Sequence, residues 1–332
     1  MTDVNSMTDL NSDNPEILAL QARLGDSDAG VRRIALIALA DLEDPDALPW
    51  LTQALAEDSD AQVRAEAARL LEAWEEPEVV TALCAALADA DEAVRSAAAQ
   101  SLSELKSLDA GRVVLPWATH ADAFVRSSAL RALRELRLPD SVPVARLALQ
   151  DSDAFVRREA VGILGWLKQM DALPDLARLA SNDPDTEVRR AATGALGLAS
   201  DLVVLPALQA ALRDREWQVR EEAATTLGKV GLSEAGEALI EALGDSYWQV
   251  RLRAARALGK LRAVGALDGL VTLLGHSISN LRKEAALALG ELALGELAIS
   301  AAIAPLQAAE QDGDPEVRKA VRIALAQLQK AV

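Results

Sequence analysis

The stretch Asp151-Ser152-Asp153-Ala154-Phe155-Val156-Arg157-Arg158-Glu159-Ala160-Val161-Gly162-Ile163-Leu164 decides the fold, because its frame, Asp-x-Asp-x-x-Val-Arg-x-x-Ala-x-x-x-Leu, returns along the whole chain. The anchors are Val31, Val63, Val94, Val125, Val156, Val188, Val219, Val250, Leu281 and Val317, each followed by arginine, at spacings of 32, 31, 31, 31, 32, 31, 31, 31 and 36. A fixed period of this size is the signature of a stacked array in which each unit buries its apolar face against its neighbours.

Numbering each repeat from its anchor, position +4 is alanine from Ala35 to Ala285 with Val321 the exception, and +8 is leucine from Leu39 to Leu325. Positions 0, +4 and +8 share one side of a 3.6-residue helix. A small residue at +4 admits a neighbouring backbone, and the leucine fills the interior. Gly165, Gly197, Gly228, Gly259 and Gly290 at +9 are expected to end that helix. A second apolar stretch precedes each anchor, as in 79–87 and 235–243, so the unit reads helix A, turn, helix B. The 36-residue spacing comes from a five-residue duplication, Gly290-Glu291-Leu292-Ala293-Leu294 followed by Gly295-Glu296-Leu297-Ala298-Ile299, expected to lengthen a helix or the loop before the last repeat.

The expected fold is thus a right-handed α-solenoid of ten helical pairs, one continuous domain over residues 14–332 behind a disordered tail over 1–13. Aromatics at 3% suit a core of closely approaching helices. No apolar run is long enough to span a bilayer and no leader precedes the repeats, so a cytoplasmic protein without membrane contact is expected. The single cysteine, Cys84, forms no internal disulfide and reads as a small core residue of a helix A.

The frame resembles the HEAT-like repeats of phycobilin lyases and their relatives, over about residues 14–332. Glu216-Trp217-Gln218-Val219-Arg220 and Tyr247-Trp248-Gln249-Val250-Arg251 are similar to the aromatic turns of that branch. The resemblance implies a repeat protein, and through those two turns a tetrapyrrole-handling relative.

The acids of the turn have a structural reading. Asp26, Asp58, Asp89, Asp151, Asp183, Asp214, Asp245 and Asp312 stand at −5; Asp28, Asp60, Asp91, Asp122, Asp153, Asp185 and Asp314 stand at −3, with Glu216 substituting. One acid of each turn caps helix B, and the other meets an arginine at +1 of its own or an adjacent repeat, making a ladder. Pro184 points to a cap at −5 and Pro315 to one at −3. Sixteen of the 51 acids lie in these columns, so much of the net charge of −17 is an edge feature. The +2 column holds Arg33, Arg158, Arg190, Lys283 and Lys319 against Glu221, and Arg251, Arg253, Arg256, Lys260 and Arg262 cluster, which leaves room for a locally basic surface. Nucleic acid is not an expected partner, since phosphate backbones demand a dominant positive field.

Catalytic residues, a metal site and a cofactor are not expected. His120 and His276 both replace the −5 aspartate, five repeats apart, and read as turn residues; neither precedes a glutamate as in the iron-binding HEAT-like hydroxylases. No Gly-rich phosphate loop occurs. What stands out is aromatic: Trp217 and Trp248 at −2 in consecutive repeats beside Tyr247, and Phe124 and Phe155 at −1. The two tryptophans either anchor a partner as a stacked pair or seal the stack over the neighbouring turn. Trp217, Arg220, Tyr247, Trp248 and Arg251 are the candidate partner-binding set. The expected function is a noncatalytic scaffold holding a protein along the concave helix-B face. The alternative is a cofactor-handling factor, lyase-like or a metal-cofactor assembly chaperone, with Tyr247, Trp248 and Arg251 gripping the ligand.

Overall fold

The computed structural model describes residues 10, 12–199, 201–292 and 296–330, and among them holds twenty α-helices and no strand. Its helices fall into two compact units, divided between Leu167 and Lys168. The first contains the A helices α1 (Pro15–Leu24), α3 (Leu48–Glu57), α5 (Pro77–Ala86), α7 (Leu108–Val114) and α9 (Val142–Ala148). Each alternates with a B helix: α2 (Ala29–Ala40), α4 (Ala61–Leu70), α6 (Glu92–Ser103), α8 (Ala123–Leu136) and α10 (Ala154–Trp166). In the second unit the A helices are α11 (Leu173–Asn182), α13 (Leu205–Ala211), α15 (Gly236–Ala242), α17 (Leu267–Leu273) and α19 (Glu296–Ala309). The B helices there are α12 (Thr186–Ala195), α14 (Trp217–Val230), α16 (Trp248–Lys260), α18 (Ser279–Glu291) and α20 (Pro315–Lys330).

Every B helix begins two residues before its anchor. The anchor and +4 residues are almost all fully buried, and so are the +8 leucines, Leu325 being the least covered of these at 9% exposure. Each such leucine contributes about 1.5–3 kcal/mol by leaving water. Within a unit, B helices pack on the B helices before and after them as well as on their own A helix, which is why the +4 residue must be small. Cys84 lies buried in α5, and burial pushes its thiol up to about 12, so it is an inert core residue.

The turn assigns the cap to −3. Asp28, Asp60, Asp91, Asp122, Asp153, Asp185 and Asp314 sit in extended or pre-helical backbone and accept from amides of the first helical turn, Asp60 from Gln62 and Val63 and Asp153 from Phe155 and Val156. Pro315 is accordingly the first residue of α20, whereas Pro184 lies ahead of the cap, inside the turn.

Of the glycines at +9, Gly165 is the next-to-last residue of α10 and Gly197 follows the end of α12, as expected, but the other three do not end their helices. Gly228, Gly259 and Gly290 lie inside α14, α16 and α18, where a Cβ would stand 3.0, 2.9 and 2.7 Å from the Cα of Ala257, Ala288 and Ala324 on the next B helix. They are close-approach positions. In five of the repeats the backbone turns left-handed at +12, where Glu43, Arg137, Lys168, Gly231 and Arg262 all have positive φ between 50° and 80°. Residues 296–299 of the second copy form the start of α19, at 14 residues the longest A helix, so the duplication lengthens that helix. Of the expected tail, residues 1–9 and 11 lie outside the described residues. Leu10 and Ser12 are tied to the first repeats: the carbonyl of Leu10 accepts from Gln21 at 3.2 Å and the Ser12 hydroxyl donates to Asp46 at 3.4 Å.

Candidate partner-binding surface

The edge where the B helices begin is built on an arginine ladder. The arginine at +1 reaches forward to the −5 aspartate of the following turn and donates from Nε and Nη2 to its two carboxylate oxygens. Arg64 does so to Asp89 at 2.8 and 2.9 Å, Arg189 to Asp214 at 2.8 and 3.0 Å, and Arg220 to Asp245 at 2.6 and 3.0 Å. The same geometry joins Arg32 to Asp58, Arg126 to Asp151 and Arg282 to Asp312. The third nitrogen donates to carbonyls of the arginine's own turn, as from Arg189 to Asp183 at 3.0 Å. The same carboxylate accepts the −3 amide, as Asp89 does from Asp91 at 2.8 Å. The hydrogen bond from the guanidinium, above all, holds Asp89 and Asp312 below the usual carboxylate range. Burial pushes Asp151, Asp214 and Asp245 upward, but the guanidinium and amide bonds outweigh it and leave them lowered.

His120 and His276 take over one of the two jobs of the aspartate they replace. Nδ1 of His120 accepts from the Asp122 amide at 3.1 Å and Nδ1 of His276 from the Ile278 amide at 3.0 Å. A neutral imidazole so engaged offers no carboxylate to the arginine behind it. Arg95 keeps its carbonyl bonds to Asp89 and Ala90 at 2.9 and 3.0 Å and lies 5.9 Å over the ring of Phe124. Arg251 makes no side-chain hydrogen bond or ion pair among the described residues, and its Nε is shielded from solvent.

The structure brings Trp217, Arg220 and Tyr247 together and leaves Trp248 and Arg251 outside the group. Trp217 stacks on Tyr247 with ring centroids 5.5 Å apart and planes at 14°, and the Arg220 guanidinium lies 5.6 Å from the Tyr247 ring. The anticipated pairing of Trp217 with Trp248 is replaced by a pairing with Tyr247, because a −2 side chain points forward onto the −3 residue of the next turn. Tyr247 is 45% exposed; Trp217, Trp248, Arg220 and Arg251 are half-buried. Tyr247 occupies the cap position of α16 without making a cap bond, and Glu216 and Ile278 likewise leave α14 and α18 uncapped.

The anticipated basic surface is largely cancelled by acids on neighbouring helices. Arg253 meets Glu221 at 3.0 Å, Arg256 meets Glu284 at 2.7 Å, and Lys283 meets Glu316 at 3.2 Å. Glu222 stands apart: burial raises it above the usual carboxylate range.

A second feature was visible in the sequence only as two phenylalanines in one column. Phe124 and Phe155, 39% and 62% exposed, flank an open groove of about 400 Å³ between α6, α8 and α10, floored by Ala99, Ser127 and Ser128. Among the described residues no group of three or more histidine, cysteine or acidic side chains is placed to hold a metal ion, and no helix is long and apolar enough to cross a membrane.

In the comparison with known proteins, HEAT repeats match residues 10–65, 48–134, 111–197, 178–247 and 236–326. No protein of curated function matches in sequence. Among solved structures, an engineered protein is similar over 95% of this chain and 99% of its own, at 24% identity and a TM-score of 0.55. The E. coli protein YibA is similar over 82% of this chain and 99% of its own, at 20% identity and a TM-score of 0.60. Kap95p, solved with RanGDP, is similar over 95% of this chain and 50% of its own, at 14% identity and a TM-score of 0.67. These likenesses concern the fold. With repeat matches running almost from end to end on a framework of paired helices, the chain belongs to the family of HEAT-repeat proteins.

Proposed function

We propose that this protein is a noncatalytic scaffold that holds a protein partner on its helix-B side, with the Trp217–Tyr247 stack and Arg220 as the main anchor and Trp248 and Arg251 at its margin. One observation carries the reading. Seven of the ten turns place aspartate at −3 to cap helix B, a bond worth about 1 kcal/mol, and at Tyr247 the chain gives up that cap for a ring left 45% exposed. The ring gains a stack on Trp217 and a contact with Arg220 yet keeps nearly half its surface in water, and a local rule broken for a group left so exposed supports a binding role. Tyrosine, tryptophan and arginine are also the side chains that dominate interface energetics. Similar folds are known in complexes, Kap95p having been solved with RanGDP and with Nup1.

The test is Tyr247→Asp, which restores the cap. The variant should melt higher, by about 1 kcal/mol of added stability, and should bind the partner captured on the immobilised wild-type chain more weakly by roughly 2 kcal/mol. Undiminished binding by this variant would assign the stack to sealing the repeats. A visible absorption band in freshly purified protein, lost in the same variant, would transfer the site to a planar pigment.

A further inference from the structure

The groove between Phe124 and Phe155 lies within the first unit, apart from the Tyr247 stack, and is built differently from the equivalent place in other repeats. The −1 column elsewhere carries Gly30, Gln62, Ala93, Glu187, Gln218, Gln249, Asn280 and Glu316, and rings occur only in these two consecutive repeats. Both are held in place from above by cations: Arg95 lies 5.9 Å from the Phe124 ring and Arg158 5.2 Å from the Phe155 ring. Depth comes from Ser127 and Ser128 on α8, at positions filled in other repeats by longer side chains such as Arg33, Arg190, Glu222 and Arg253.

The charges around the groove are unequal once their partners are counted. Asp153 is committed to capping α10 through the amides of Phe155 and Val156, at 2.8 and 3.1 Å. Glu159 is held by Arg134 at 2.6 Å and by Arg158 at 3.3 Å. On the cationic side, Arg131 lines the groove exposed, with no acid partner among the described residues. Arg95, at the rim, has no carboxylate on its ladder side because His120 stands where the aspartate would be. The groove thus offers two apolar ring faces near two guanidinium groups that have no carboxylate partner among the described residues, on a chain whose net charge is −17.

We infer that this groove docks an acidic, apolar segment of a partner protein: one or two large apolar side chains seat between Phe124 and Phe155, and flanking carboxylates reach Arg95 and Arg131. The Arg95 contact would supply the acid that the ladder lacks at this rung.

Random peptides displayed on phage and selected on the full chain, with counter-selection on the Phe124→Ala/Phe155→Ala variant, test this directly. The enriched peptides should combine Asp or Glu with Phe, Leu or Trp. Measured by fluorescence anisotropy, the best of them should lose roughly tenfold or more in affinity for the double phenylalanine variant and about fivefold for Arg131→Glu. Arg131 is a surface side chain, so the second variant reports on the groove even if the first is poorly folded. Tyr247→Asp should leave this binding unchanged, which separates the groove from the anchor of the second unit. Enrichment of Lys- or Arg-rich peptides, no enrichment over the counter-selection, or equal affinity for Arg131→Glu would overturn the inference. So would a wild-type dimer in sedimentation that the phenylalanine substitutions dissociate, since the occupant would then be a second copy of the chain.

Discussion

A single arginine at +1 serves two turns at once, clamping the carbonyls of its own and both carboxylate oxygens of the next, and the energetics follow from how deeply that fork is buried. Arg189 is 4% exposed and faces Asp214 at 10%, whereas its sequence neighbour Arg190 is 47% exposed on Glu187. Arg189→Ala should therefore cost about 2 kcal/mol, because it strands a shielded carboxylate, and Arg190→Ala no more than about 0.5; denaturant melts of the two variants decide it, and equal losses would mean that the ladder is not structural. The ninth turn supplies the converse case. His276→Asp gives Arg251 the carboxylate that every intact rung has and should raise stability by about 1 kcal/mol. It should also change the response to pH. Burial, then Arg251 and Arg282, hold the His276 imidazole below its ordinary value, so the unfolded chain takes up that proton first. Stability is then full above about pH 6.5 and falls as the pH drops through that value toward the lower folded pKa. The ladder carboxylates act in a separate window: held low in the fold, they contribute stability at neutral pH that is lost on acidification below about pH 3.9. A melting-temperature series against pH should show both steps in the wild type and only the lower one in His276→Asp; an unchanged upper step would assign it to another group.

At the scale of the helix, the close-packed glycines and the left-handed exits are the two features that fix how one B helix follows another. Gly228→Ala improves helix propensity by about 1 kcal/mol, yet its new Cβ would stand 2.9 Å from the Cβ and 3.0 Å from the Cα of Ala257. Backbone cannot yield as a flexible side chain can, so the substitution should lower stability by about 1–3 kcal/mol; a rise would show that the approach is loose. Arg262, at φ 52°, should respond the other way, Arg262→Gly relieving backbone strain worth up to about 1 kcal/mol. These two sites also mark where the sequence could be read and where it could not. The anchor, +4 and +8 columns were legible because burial forces residue type at a 3.6 period. The role of the +9 glycines was not, since a glycine near the end of a helix satisfies both a cap and a close neighbour, and only the position of Ala257, Ala288 or Ala324 distinguishes them. The exit at +12 left no trace, being glycine only at Gly231. The candidate site was half legible in the same sense: Tyr247 and the tryptophans stood out against their columns. That Trp217 reaches Tyr247 rather than Trp248 depends on a side chain crossing between repeats. The groove needed the serines of α8 set against two rings from different repeats.

Across the whole molecule, stability accumulates from one interface at a time, because each helical pair touches little beyond its neighbours in the stack. Leu133 is fully buried at +8 of α8, the helix that packs on α6, α7 and α10 in the first unit. Leu133→Asp places an unpaired charge there, a penalty of several kcal/mol. In a compact globular domain such a substitution unfolds everything together. In a repeat array the loss should be graded: the amides of α6, α8 and α10 should exchange rapidly, while those of α2, separated from the lesion by a full repeat, should retain most of their protection. Hydrogen exchange read helix by helix distinguishes the two cases, and equal loss of protection in α2 and α8 would show that the first unit folds as one cooperative body. A graded loss has a functional reading as well. The phenylalanine groove sits over the same helices, so the Leu133→Asp chain should lose peptide binding at Phe124 and Phe155 while its first repeats remain folded, which makes the integrity of three consecutive repeats the condition for that surface to exist.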